Sequence, residues 1–186
     1  MEAEVSNKVA DFLEHIINLR DPYEDHHSRE VSELVERLCK EDGIESEELE
    51  MIVIGARLHD IGKLLIPEVL LNKTGRLTRQ DWEIIHAHPR YGVEMLEKLE
   101  ISPDILDIVL HHHENLDGSG YPDGLRSKQI SRGVKIIRIC DTYQSLMGNR
   151  PYKSRMTSSE AFEEMEKKVG TYYDPILFSV FKKNDL

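Results

Sequence analysis

Nine histidines are spread along 186 residues, and some stand beside an aspartate or a second histidine, as in His59-Asp60 and His112-His113. Imidazoles and carboxylates are donors for divalent metal ions, and a bound metal ion activates water and neutralises growing charge. A lone histidine says little, because core and surface histidines are common. Helical phase separates them. Over 26–41 the apolar stripe is Val31, Leu34, Val35 and Leu38. His27 lies four residues before Val31 on that stripe, and His26 is expected to face solvent. In the helix starting near Ser46, the residues Ile52, Ala56, His59 and Asp60 share the inward phase, with Lys63 one turn on. In the helix from Pro103, the stripe Ile105, Ile108 and Val109 leads to His112 and His113, with His111 out of phase. His88 follows Ile84 and Ile85 in phase, and His86 fits less well. Asp141 shares a face with Val134 and Ile137 on a strongly apolar helix.

A polar group on an apolar face needs a partner. For any one of these residues a buried hydrogen bond explains the pattern as well as a metal does. Taken together, five helices each offer an inward imidazole or carboxylate. The set is His27, His59, His88, His112 and His113 with Asp60 and Asp141. Mixed nitrogen and oxygen donors without a thiolate suit iron, manganese or zinc. Seven ligands exceed one tetrahedral ion and predict two divalent metals, with Asp60 placed to bridge them.

The elements that must position these groups read as nearly all helix. The expected helices cover 1–20, 26–41 and a stretch from Ser46 that carries His59 and Lys63 and ends before Pro67. A loop follows over 66–78. Thr78, with Asp81 three residues on, then caps a helix reaching about His88, with a break or kink near Pro89. A short helix to about Glu100 comes next. Ser102-Pro103 starts another that runs to about Glu114. Residues 115–133 form a Gly-, Asp- and Ser-rich loop, and helices follow at 133–148, at 158–169 and after Pro175. No segment is apolar for long enough to span a membrane, and no signal peptide is visible. Cys39 and Cys140 sit in apolar patterns and read as buried thiols of a reducing cytoplasm. A net charge of −11 argues against binding a long nucleic acid. A small anionic substrate stays in play if metal ions supply local positive charge.

Several segments resemble a known family. Leu58-His59-Asp60-Ile61-Gly62-Lys63 is similar to the HD-domain signature. His112-His113-Glu114, followed by Asp117-Gly118-Ser119-Gly120-Tyr121-Pro122-Asp123-Gly124-Leu125, resembles its HD-GYP branch. His88-Pro89, Asn149-Arg150-Pro151-Tyr152 and Gly170 to Pro175 extend the match. The resemblance implies an all-α fold, an HD-domain helical bundle with a C-terminal GYP helical extension. Residues 1–20 would be a linker, a signalling helix or the first core helix, and 21–186 the catalytic domain.

The implied activity is hydrolysis of the 3′–5′ phosphodiester bonds of cyclic di-GMP, to pGpG or GMP, by a hydroxide shared between metals. The alternatives are a slow or inactive cyclic-dinucleotide-binding module, or a hydrolase of another nucleotide such as cyclic GMP-AMP. The resemblance carries over to the same seven ligands. It adds Lys63 beside the metals as a catalytic residue with Asp60, and Arg150 and Lys153 as contacts for the substrate phosphate. Tyr121 and Pro122 of the loop would meet substrate or a partner protein, and an upstream sensor domain is a further expected partner. Iron or manganese is expected, with zinc, nickel or another divalent ion as alternatives. The chain departs from the family pattern at three points. Tyr23 stands where three-metal members have Glu, with Glu24 out of register, which favours two metals. Arg29 is displaced from its usual place in the second helix. Gln144 and Ser145 stand where Asp and Ala are usual.

Overall fold

The computed structural model describes residues 2–20, 22–44, 46–148 and 156–184. Arg150 and Lys153 lie outside the described residues. So do the side chains of 18–26, on which the expectations for Tyr23, Glu24 and His26 rest. The described residues form ten α-helices: α1 (Glu2–Arg20), α2 (Pro22–Glu41), α3 (Ser46–Leu58), α4 (Glu68–Leu71), α5 (Arg79–Ile85), α6 (His88–Leu96), α7 (Pro103–His111), α8 (Arg132–Met147), α9 (Ser158–Glu166) and α10 (Pro175–Lys183). Short 3₁₀ turns cover Ile61–Leu65 and Glu97–Leu99. The only extended pairing among the described residues is two isolated bridges, so the expected all-α class holds.

Two apolar cores position the site. In one, Val31, Val35 and Leu38 of α2 pack with Ile136, Ile137 and Ile139 of α8 and with Phe178 and Phe181 of α10. In the other, Ala10 and Ile17 of α1 meet Ile54 and Leu58 of α3, Leu96 of α6 and Ile105 and Val109 of α7. Helix α3 contributes to both cores, which ties the two halves of the protein together. Each fully buried Leu or Ile in these seams contributes roughly 2 kcal/mol. Arg57 of α3 adds ion pairs to Asp11 and Glu14 of α1. Cys39 and Cys140 are both buried and reduced.

Helix starts follow their local chemistry. Thr78 and Asp81 close the expected capping box, and Thr157 and Glu160 close a second. Ser102 caps α7, with Pro103 in its first turn. Helix ends differ from expectation, and the differences fall on the chemistry. Helix α3 stops at Leu58, so His59 and Asp60 lie in the turn after it and Lys63 in a 3₁₀ turn. Helix α7 stops at His111, which leaves His112 and His113 just beyond its end. His88 opens α6, with Pro89 in the first turn, where a missing N–H costs nothing. Periodicity persists a few residues past the last helical hydrogen bond, so inward phase was legible there but the helix end was not. Three smaller corrections follow. The second helix starts at Pro22, the loop over 66–78 contains α4, and the helix over 158–169 stops at Glu166.

Helix α6 packs closely against the 3₁₀ turn Ile61–Leu65. A Cβ on Gly62 would lie 1.9 Å from the His88 carbonyl oxygen and 2.5 Å from the Gly92 nitrogen. Only glycine lets these backbones touch, and the contact sets His88 beside the HD pair.

Candidate metal centre

The first ring to place is His59, which is wholly buried at the end of α3. The last carbonyls of a helix lack intrahelical partners. His59 uses one of them: its Nδ1–H donates to the Ala56 carbonyl at 2.7 Å. Two other rings repeat the device. His88 donates from Nδ1 to the Ile85 carbonyl at 2.8 Å, and His112 donates to the Val109 carbonyl at 2.9 Å. A carbonyl can only accept, so each Nδ1 carries a proton and Nε2 is the nitrogen turned to the cluster. Helix ends α3, α5 and α7 thereby set three tautomers.

All three Nε2 atoms converge on Asp60. Its Oδ1 lies 3.1 Å from His88 Nε2 and 3.8 Å from His112 Nε2. Its Oδ2 lies 3.1 Å from His59 Nε2, 3.9 Å from His27 Nε2 and 2.7 Å from Lys63 Nζ. His27 Nε2 is also 3.2 Å from Asp141 Oδ1. His113 packs its ring on His112 at 4.1 Å and on His88 at 5.1 Å. The donor atoms fall into two groups: His27, His59 and Asp60, and Asp60, His88, His112 and His113. Asp60 belongs to both, one oxygen turned to each.

This arrangement fits divalent cations. His88 Nε2 and His112 Nε2 are 3.2 Å apart, each ring holding a proton on its far nitrogen, so two nitrogens suited to a cation face each other. His59 Nε2 and Asp60 Oδ1 are buried without a hydrogen-bond partner. Buried acceptors aimed at one another are costly unless a proton or a cation lies between them.

Without a metal, one proton serves part of this need. Burial pushes His59 down, but the carboxylates of Asp60 and Asp141 outweigh it and lift its pKa from 6.5 to about 9. Burial likewise favours neutral Asp60, yet Lys63 and His59 hold its carboxyl well below the usual range. His112 and His113 are held well below an ordinary histidine, chiefly by burial. A cation must expel the His59 proton. Manganese binding to metal-free protein at pH 7.5 is therefore expected to release about one proton per chain, and affinity should tighten about tenfold per pH unit up to about 9. Proton release in weakly buffered solution checks this. The His59–Asp60 pairing also stabilises the metal-free fold, fully below pH 6.5, and that stability is lost as pH rises through about 9.

The loop after α7 closes over the cluster. Glu114, buried beside the two ligand-type histidines, accepts the backbone N–H groups of Asp123, Gly124 and Leu125 at 2.7, 2.9 and 3.0 Å. Gly120 returns against residues 113–115, and a Cβ there would lie 2.4 Å from the Asn115 nitrogen. Tyr121 is thus laid beside His113, ring centroids 4.8 Å apart, and on His86 at 3.9 Å. His111 is neutralised by Asp107 and by Asp123 of the loop, at 2.7 and 3.1 Å.

Residues 11–177 match the HD domain family. The chain belongs to that family. A cyclic di-GMP phosphodiesterase of Pseudomonas aeruginosa is 35% identical over 164 residues, 88% of this chain and 39% of that protein. A 3′3′-cGAMP-specific phosphodiesterase of Vibrio cholerae is 33% identical over 168 residues, 90% of this chain and 36% of that protein. Among solved structures, an HDGYP protein of Bdellovibrio bacteriovorus superposes with a TM-score of 0.74 at 21% identity, covering 97% of this chain and 63% of that one. That last likeness is one of fold. The chain spans under half the length of these two relatives.

Within this HD domain, the expected residues His27, His59, Asp60, Lys63, His88, His112, His113, Asp141 and Tyr121 come together. Three partners escaped sequence reasoning. Glu114 was visible only as a motif letter, although a carboxylate between inward histidines and a glycine-rich loop is a signal for a loop anchor. His86 fits the inward phase less well and stacks on Tyr121 instead. Gln144 was read as a departure from pattern, yet its side-chain carbonyl accepts from His27 Nδ1.

Proposed function

We propose that this chain is a metal-dependent phosphodiesterase that hydrolyses the 3′–5′ bonds of a cyclic dinucleotide, with cyclic di-GMP as first substrate. The observation that carries the reading is the convergence of four imidazole Nε2 atoms on the two oxygens of Asp60. His27, His59 and Asp60 would hold one divalent cation and Asp60, His88, His112 and His113 a second, with Asp141 beside His27. Iron or manganese best matches this donor set. When bound, such cations supply Lewis acidity and make water nucleophilic at neutral pH.

The chain's own residues do the rest. Water adds to phosphorus as the P–O3′ bond breaks, and the leaving oxygen needs a proton. Lys63 is an ammonium at the edge of the cluster, 2.7 Å from Asp60, and is suited to give that proton or to offset the charge on phosphorus. Arg150 and Lys153 would clamp a phosphate. Tyr121 and Pro122 form a firm lip held by Glu114, which would contact substrate or a partner protein. We further propose a cytoplasmic catalytic unit, residues 21–186, joined through 1–20 to an upstream sensor. That proposal is supported by the short share of its relatives that the chain spans. No helix of the described residues is long and apolar enough to cross a membrane.

A second substrate, cyclic GMP-AMP, is favoured by the Vibrio cholerae relative named for it. Anaerobically purified protein, loaded with Fe(II) or Mn(II), should convert cyclic di-GMP to pGpG or GMP, with cyclic GMP-AMP and cyclic di-AMP tested in parallel. Metal content is measured on the same sample. A fully loaded protein that hydrolyses none of the three sinks the proposal.

A further inference from the structure

Four rings of the cluster have a hydrogen-bonded Nδ1, and one is held differently from the rest. His59, His88 and His112 donate to main-chain carbonyls that the fold cannot move. His27 lies in the second turn of α2 and donates to a side chain, Gln144 Oε1, from α8. An amide can face either way, so this contact alone does not fix which ring nitrogen holds the proton. Glu30 does. The Gln144 amide nitrogen lies 2.5 Å from Glu30 Oε2, and a carboxylate accepts only. The amide nitrogen must therefore face Glu30, the amide oxygen must face His27, and His27 must donate from Nδ1. Its Nε2 is then the nitrogen left toward Asp141 and Asp60, at 3.2 and 3.9 Å. Gln144 is itself buried at 8% exposure, so water does not substitute readily. The neighbouring Ser145 hydroxyl reaches Asp141 Oδ1 at 3.4 Å, so both residues act on the same half of the cluster.

We propose that Gln144, oriented by Glu30, is a positioning residue that fixes the ring and tautomer of His27 and so sets the affinity of the metal position at His27, His59 and Asp60 independently of the position at His88, His112 and His113. The inference rests on the metal-centre reading but not on any substrate. Outer partners of a metal-bound histidine typically govern affinity by 10- to 100-fold. Here the partner is a neutral amide on a side-chain relay, while the other position has rings anchored to helix ends. The His27 position is accordingly the more easily emptied of the two.

The test is Mn(II) binding by the full chain at fixed pH, read as metal per chain against free Mn(II). Gln144→Leu should weaken one equivalent by about 10- to 100-fold and leave the other within about twofold. The double variant Glu30→Gln with Gln144→Glu keeps every hydrogen bond while moving the charge next to His27. It should restore that equivalent to the wild-type value or tighter, which covers the case where the leucine variant folds poorly. In Zn(II)-loaded, ¹⁵N-labelled protein, His27 should show an exchange-protected Nδ1–H resonance that Gln144→Leu abolishes. Two equivalents that weaken together, or a His27 resonance indifferent to Gln144, overturns the proposal. Loss of hydrolysis with this pattern intact would instead count against the phosphodiesterase reading.

Discussion

Asp60→Ala is expected to leave the protein folded but with less than one bound metal per chain, and to lower hydrolysis by at least about a thousandfold, roughly 4 kcal/mol of transition-state stabilisation. Asp60 has one oxygen toward each half of the cluster. Its loss leaves imidazoles as the main donors on both sides and removes the carboxylate that Lys63 faces at 2.7 Å. Two repelling cations would then lack the anion between them. The helices should survive, because the rings of His59, His88 and His112 are fixed by main-chain carbonyls and the caps lie elsewhere. Metal analysis and circular dichroism on one preparation separate the outcomes. An alanine variant that keeps two metals and turns over within tenfold of wild type would rule out a shared ligand. Asp60→Asn keeps the shape and removes the charge, and should fall between the two.

The second large effect comes from a residue without a side chain. Gly62→Ala is expected to destabilise the protein by about 4 kcal/mol and to lower its Tm by about 12 °C. The added methyl would meet the His88 carbonyl oxygen at 1.9 Å and the Gly92 nitrogen at 2.5 Å. Both are backbone atoms, so no rotamer change relieves the clash, and α6 must lift from the 3₁₀ turn. His88 travels with α6, so metal at the His88, His112 and His113 position should weaken as well. Gly75→Ala is the control, since nothing lies within 4 Å of its added carbon, and it should shift stability by no more than about 0.5 kcal/mol. Equal melting of the two variants would show that the close approach is not needed.

How much of this was legible in the sequence depends on the range of the interaction. Helical phase is a local property, and it singled out His27, His59, Asp60, His88, His112, His113 and Asp141, all of which the fold brings together. Caps are equally local, so Thr78 and Ser102 marked their helices correctly. Helix ends were less legible, because the apolar repeat runs on into the turns that hold His59 and His112. What escaped was pairing across the fold. Gln144 meets His27 across 117 residues, and no periodicity encodes that contact. Glu114 binds main-chain N–H groups 9 to 11 residues on, where the partner side chains leave no trace in the pattern.

Glu114 has a mechanical consequence. It follows His113 directly in the chain, and its two oxygens grip the far limb of the loop at three successive peptides. One peptide link therefore joins the clasp of the loop to the floor of the cluster, with no hinge between them. A displacement of the loop at Asp123 would therefore reach His113 through that link, as well as α7 through His111.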